Sequence, residues 1–371
     1  MNTSPDLLVV GGGIVGLAHA VEAVRRGLSV VVVDRDDFAR GASVRNFGHG
    51  CVTGQSGPAL EYALLARERW LELGATAGFG IWNSGTVVAA RAEDELAVLA
   101  EFVQRSTHPV RLLDRNALLE RAPLNPATVL GGAWLPLDVR VDPREALPAI
   151  AGWLADQGVE FRWGTNVLSV EPGVVHTSRG EIRATRTVVA VGHDLDRLFP
   201  QVTEPIGMRR CVLHMLRVDS PDGRRFEPAV LTGLSLLRYD GFAACPSAAD
   251  VRARYASEQP ELLDAEMNLM FTQQPNGELT IGDTHTYART PEPFRTEAYD
   301  ELLLAETAAL LGVPELRVRE RWHGVYASSP TQNFLIDAPL PTVRTVAVTT
   351  GIGMTTALGL APSVLTELLA T

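Results

Sequence analysis

Six residues near the amino terminus, Gly11-Gly12-Gly13-Ile14-Val15-Gly16, constrain the fold more than any other part of the chain because of what flanks them. Leu7-Leu8-Val9-Val10 before them is the uninterrupted apolar run of a strand buried on both faces. Residues 17–26 after them are alanine-rich with apolar positions at helical spacing, Gly27 ends the helix, and residues 28–33 read as a second strand closing on Asp34. A β-α-β unit of this kind is built to hold a dinucleotide. Gly11 permits the tight turn, Gly13 lets backbone approach a pyrophosphate, and Gly16 lets helix and strand pack closely. The helix start offers unpaired N–H groups to phosphate, and Asp34, 18 residues beyond Gly16, is placed to accept from ribose hydroxyls. Ile14 and Val15 within the turn and Arg35 beside the acid complete the expected nucleotide side.

Composition narrows the class. At roughly 150 residues per domain, a chain of 371 residues has the length of two domains, and 46% hydrophobic against 21% charged residues is the balance of a folded globular protein. The formal charge, 33 − 44 = −11, disfavours nucleic acid and anionic membrane as partners. All 33 basic residues are arginine, which excludes chemistry that needs a lysine amine, such as a Schiff base or the lysine of a P-loop. Cys51, Cys211 and Cys245 are too scattered for a disulfide framework or a zinc cluster, and no metal is expected. No long apolar run predicts a membrane span, and residues 1–6 lack the features of a secretion signal, so a cytoplasmic location is expected.

NAD and FAD share this first unit, and the next segment decides between them. It contains Gly41-Ala42-Ser43-Val44-Arg45-Asn46-Phe47-Gly48-His49, small and polar where a simple NAD domain would run to a third strand, and so looks like a clamp on a flavin. The glycine motif, this loop and the late segment Gly351-Ile352-Gly353-Met354-Thr355-Thr356 together resemble the glycine and D-amino-acid oxidase (DAO) family of FAD-dependent amine oxidoreductases over nearly the whole chain. The resemblance implies FAD as cofactor, with Gly353, Met354 and Thr355 beside the flavin ring and Ser43, Arg45, Asn46 and Gly48 on its other approaches. It also implies adenine contact at the backbone of Val167, and passage of the chain past the cofactor at Gly192. A helix start beside the ring suits the chemistry, since its partial positive charge stabilises the negative charge a flavin gains with hydride. Relatives that attach the flavin use a cysteine before the carboxy-terminal segment. Nothing after Cys245 can do so here, and non-covalent FAD is expected.

The expected fold is α/β, a Rossmann-like FAD-binding domain interleaved with an α+β substrate domain built on a mainly antiparallel sheet. The FAD-binding domain takes residues 1–80, 143–204 and 325–371, and the substrate-binding domain residues 81–142 and 205–324. Asp142 and Pro143 predict the capped start of a helix over 145–157. Residues 159–163, 165–170 and 345–348 read as strands of the first domain. In the second, 205–218, 235–244 and 278–284 are expected as strands and 297–311 as a helix.

For the substrate, Arg45-Asn46-Phe47-Gly48, Leu237-Arg238-Tyr239, the stretch 281–287 and Trp322-His323-Gly324-Val325-Tyr326 resemble a branch of that family proposed to act on aminophosphonates related to 2-aminoethylphosphonate. A phosphonate dianion calls for the fixed planar donors of arginine. Arg238 is the first candidate, Arg209 or Arg210 the second, and Tyr239 adjoins them. His49, His285, His323 and Tyr326 are the candidates for orienting or deprotonating an amine. The expected reaction removes hydride from the carbon next to nitrogen of a small amine and gives an imine that water converts to a carbonyl, with oxygen or another acceptor taking the electrons. Oxidation of D-amino acids or of sarcosine- and glycine-like substrates competes with this reading, as does a non-catalytic flavin-bearing subunit of a complex. The absence of paired histidines at metal-site spacing and of a GxSxG elbow disfavours hydrolases.

Overall fold

The β-α-β unit lies inside a six-stranded sheet in the computed structural model, which describes residues 4–370. Leu7–Val10 pairs in parallel with Val30–Val33 on one side and Arg186–Val189 on the other. The sheet continues to Glu160–Arg162 past the former, and to Val343–Val348 and Phe334–Leu340 past the latter. Alternation sends Leu7, Val9, Val30 and Val32 into a core shared with the helices Ile14–Arg25, Gly57–Ala77, Pro143–Asp156 and Gly353–Leu369. Leu8, Val10, Val31 and Val33 go to a second core, under the small sheet Val167–Glu171, Val174–Thr177 and Gly180–Arg183. Burial on both faces is why these strands are apolar throughout.

Local chemistry sets the helix ends. The Asp142 carboxylate accepts from the Arg144 amide at 2.8 Å and Pro143 occupies the first turn, a cap that contributes about 1 kcal/mol. The helices Gly57–Ala77 and Gly353–Leu369 meet at a glycine, where a Cβ on Gly359 would stand 2.0 Å from the Tyr62 carbonyl oxygen.

An eight-stranded sheet forms the other half, in the order Val318–Ser328, Arg209–Val218, Leu279–Ala288, Met270–Gln273, Ala229–Thr232, Thr86–Ala90, Gly131–Leu135, Arg111–Asp114. It is antiparallel except where Ala229–Thr232 meets Thr86–Ala90. The helix Glu297–Leu311 forms as expected, but residues 235–244 are not a strand. The strand is Ala229–Thr232, followed by the 3-10 turn Gly233–Leu237 and the short helix Asp240–Ala243. Thr232 and Ser235 cap that turn reciprocally, and the Ser235 hydroxyl also donates to Asn268 Oδ1 at 2.7 Å, local bonds that compete with a ladder. The expected domain boundary at 324/325 falls inside the unbroken strand Val318–Ser328, so sheet pairing carries residues through 328 with the larger sheet. Among the described residues no helix is long and apolar enough to cross a membrane.

Candidate functional site

A cavity of about 670 Å³ is walled by residues from both sheets. On the nucleotide side its wall includes Gly11, Gly13, Ile14, Val15, Asp34 and Arg35, together with Val167 and Gly192. Asp34 accepts from the amides of Gly12 at 2.6 Å and Asp36 at 2.9 Å. Burial pushes its pKa up, and these donors oppose that shift. Arg35 pairs with Asp194 at 2.7 Å. Gly16 lies behind the wall, where a Cβ would come within 1.8 Å of the Gly11 carbonyl oxygen, so its contribution is close packing.

The loop expected as a flavin clamp docks on this motif, since Ile14 N–H donates to Ser43 Oγ at 2.9 Å. Ser43, Arg45, Asn46 and His49 reach the cavity. Asn46 shapes the loop, donating to the carbonyls of Ala42 and Ser43 and accepting from Gly48 N–H at 2.7 Å. Gly48 itself is off the wall, left-handed at φ 68°, where a Cβ would meet the Val141 carbonyl oxygen at 1.9 Å. Opposite the loop in sequence, Gly353, Met354 and Thr355 bring the start of the terminal helix onto the cavity.

The residues present fit FAD. Among the described residues, two buried polar atoms on the cavity wall, His49 Nδ1 and Thr350 Oγ1, find no protein partner. Gly13 and Gly353 leave bare backbone on the wall, with the nearest atoms to a notional Cβ at 3.0 and 3.9 Å. His49 Nε2 is 2.7 Å from Thr86 Oγ1 and 3.5 Å from Asp138 Oδ2. His49, Asp138 and Cys51 bring ligand-type atoms within 4.8 Å of one another. Burial, with Asp138, pushes the Cys51 thiol well up, away from the thiolate that metal binding needs.

On the substrate side, strand parity decides which candidates face inward. Cys211 lies between Tyr287 and Tyr326 on the neighbouring strands, and Leu213 lies between His285 and Gly324. Arg238, Tyr239, His285 and Tyr326 line the cavity. His323 does not. It pairs with His214 on the opposite face, the two rings 5.0 Å apart, where His214 Nδ1 lies 2.8 Å from Asp300 of the helix Glu297–Leu311. Of the arginine candidates Arg238 alone lines the cavity. Arg209 stacks over the Tyr287 ring at 4.3 Å, and Arg210 is taken up by Asp196 at 2.8 Å and Asp194 at 3.4 Å. Arg238 donates to Tyr326 Oη at 2.7 Å and Tyr287 Oη at 3.3 Å. It makes no ion pair among the described residues.

Sequence reasoning misses Asp283. It lines the cavity and is buried, and burial pushes its carboxyl up to about 7 while Arg238 pulls it down. Its one signal is an acid inside the otherwise uncharged strand Leu279–Ala288.

The same overall fold occurs in known proteins. The family model described as DAO, FAD dependent oxidoreductase, matches residues 6–365. A subunit of the opine oxidase of Rhizobium meliloti is 28% identical over 218 residues, 53% of this chain and 58% of that protein. The chain thus spans less than two thirds of that relative's length. Two solved structures share the fold over nearly the whole chain. L-proline dehydrogenase from P. horikoshii has a TM-score of 0.80 at 19% identity, covering 98% of this chain and 93% of the other. Glycine oxidase from Geobacillus kaustophilus has a TM-score of 0.77 at 21% identity, covering 98% and 95%. With the family model matched from the first strand into the terminal helix, around a cavity that fits the dinucleotide, the chain belongs to the DAO family of FAD-dependent oxidoreductases.

Proposed function

We propose that this protein oxidises a small amine that carries an acidic group, with aminophosphonates related to 2-aminoethylphosphonate as the substrate class. The observation that carries the reading is Arg238, a guanidinium on the cavity wall held by two tyrosine hydroxyls and, among the described residues, by no carboxylate. A cation so placed calls for an anion from the ligand. The N–H groups of the fork that the two tyrosines leave free can donate to the oxygens of a bound carboxylate or phosphonate.

Bound FAD supplies the acceptor for hydride leaving the carbon next to nitrogen. Gly11, Gly13, Val15 and Asp34 would hold its nucleotide end without a covalent bond, and the helix start at Gly353–Thr355 would set positive potential beside the ring. Arg238 and Tyr326 fix the anionic end of the substrate and thereby the reacting carbon. The buried walls exclude water and disfavour the ammonium form, whose neutralisation at pH 7 costs about 4.6 kcal/mol for a reference pKa of about 10.4.

An α-amino acid, gripped through its carboxylate by the same arginine, is the second reading, favoured by the fold shared with glycine oxidase. The test is an anaerobic absorbance screen of purified holoprotein against aminophosphonates, their N-methyl and hydroxy derivatives, glycine, sarcosine and D-amino acids. Bleaching of the flavin by aminophosphonates at the lowest concentrations supports the proposal. Bleaching by amino acids alone transfers it to the second reading, and no bleaching by any amine leaves a non-catalytic role in electron transfer or binding.

A further inference from the structure

Two hydrogen-bond acceptors meet on the cavity wall. His285 Nδ1 lies 2.7 Å from the carbonyl oxygen of Glu266, which can only accept, so Nδ1 carries the ring proton. Burial, and after it Arg238, hold this imidazole neutral, and Nε2 therefore presents a lone pair. Asp283 Oδ2 is 3.6 Å from Nε2 and is itself an acceptor whenever the carboxyl is ionised. At that separation the two do not bond each other, and two acceptors held close together out of water make a socket that can receive a proton.

The socket is rigid. Asp283 N–H donates to the Asn268 carbonyl at 3.0 Å, its carbonyl accepts from Asn268 N–H at 2.8 Å, and Oδ1 accepts from Asn268 Nδ2 at 3.2 Å. The Ser235 hydroxyl orients Asn268 in turn. The charged and titratable groups around Asp283 are Arg238, His285, Tyr239 and Cys211. Burial pushes Tyr239 well up and Cys211 to about 12, so Arg238 supplies the fixed charge and Asp283 is the member of the set that titrates near neutrality.

Resting on the reading that an acidic amine is the substrate, we infer that Asp283, backed by His285, receives the proton of the substrate's ammonium group. An N–H bond breaks with its electron pair left on nitrogen and an O–H bond forms at Asp283 Oδ2, while the neutral His285 imidazole 3.6 Å away adds no competing positive charge. No electron is transferred in this step. The neutral amine it leaves is the form whose neighbouring carbon can give up hydride. Arg238 and Asp283 together select a short zwitterion, the anion at one and the ammonium at the other.

The test uses holoenzyme and Asp283→Asn. The amide has the shape of the carboxyl and can still accept from Asn268, so it keeps that local bond and removes the proton acceptor. Anaerobic flavin bleaching by the most effective acidic amine is followed from pH 5.5 to 9. The wild-type rate is expected to rise through an ionisation near neutrality. Asp283→Asn is expected to be slower by about 100-fold or more, with that ionisation gone. Ethylphosphonate, which lacks the amine, is expected to perturb the flavin spectrum with affinity within about twofold of wild type, a readout that general damage to the site would move. Wild type bleached by acidic amines with rate and pH profile unchanged in Asp283→Asn overturns the inference alone. Wild type bleached by no acidic amine overturns the proposed function and this inference with it. If Asp283→Asn loses FAD, His285→Gln takes its place and must displace the wild-type pH profile by about one unit; an unmoved profile overturns the inference.

Discussion

Arg238 Nη2 donates to the Tyr326 hydroxyl at 2.7 Å while Nη1 donates to Tyr287 at 3.3 Å, so neutral groups on two strands of the large sheet aim a full positive charge at the cavity. Replacing it by methionine is expected to weaken binding of acidic amines by about 100-fold, the worth of a charge-assisted bond at about 1.5–3 kcal/mol. Tyr326→Phe, which removes one neutral hydroxyl, is expected to cost about tenfold. Titration of bound flavin absorbance measures both, and an unchanged affinity of Arg238→Met for every active amine would remove the arginine from the site.

Asp283 ties stability to pH. Burial raises its folded pKa from 3.8 to about 7, so between those values the folded protein keeps a proton that the unfolded chain has released. Stability falls as pH rises through that window, by about 4 kcal/mol at about 1.36 kcal/mol per unit, and the loss is complete above pH 7. Asp283→Asn lacks this dependence. Its melting temperature relative to wild type is expected to climb from pH 5.5 to pH 8, and a constant difference would contradict the assignment.

The nucleotide end has its own test. Asp34 bonds the amides of Gly12 and Asp36, and Asp34→Ala removes both along with the acceptor proposed for ribose hydroxyls. FAD affinity is expected to fall 10- to 100-fold, measured as flavin fluorescence released on dilution.

Acid precipitation is expected to leave flavin in the supernatant. All three cysteines are buried, and burial pushes each thiol up, away from the reactive thiolate. Colour in the pellet would point instead to His49, whose Nδ1 has no protein partner.

One turn beyond Thr355 on the terminal helix, Gly359→Ala would drive a methyl against the Tyr62 carbonyl at 2.0 Å. A loss of about 1–3 kcal/mol is expected from forcing the two helices apart, read as a lower midpoint in urea.

What can be read from residue order divides along the two sheets. The nucleotide side is legible because its signals are local: a turn that needs Gly11 at φ 109°, a cap at Asp142, strands apolar on both faces. The large sheet depends on register between distant strands. His323 and Tyr326 come from one short motif, yet only the pairing of Cys211 with Tyr326 and His214 with His323 shows that one faces the cavity and the other its back. Residues 235–244 mislead because two hydroxyls, Thr232 and Ser235, turn the chain where hydrophobicity suggests a strand. Asp283 shows little in the sequence beyond an acid in a strand, because its meaning lies in Asn268 and His285, whose contacts with it form only once the chain has folded.

The hydroxyl of Ser43 accepts from Ile14 N–H at the very start of the first helix. That single bond makes the ring's enclosure lean on the tail's foundation: the loop bearing Arg45 and Asn46 is braced against the turn that would cradle the diphosphate. If that loop covers the isoalloxazine as proposed, a shortened flavin without its adenosine portion would forgo more than its missing contacts, because it would leave the brace itself unloaded.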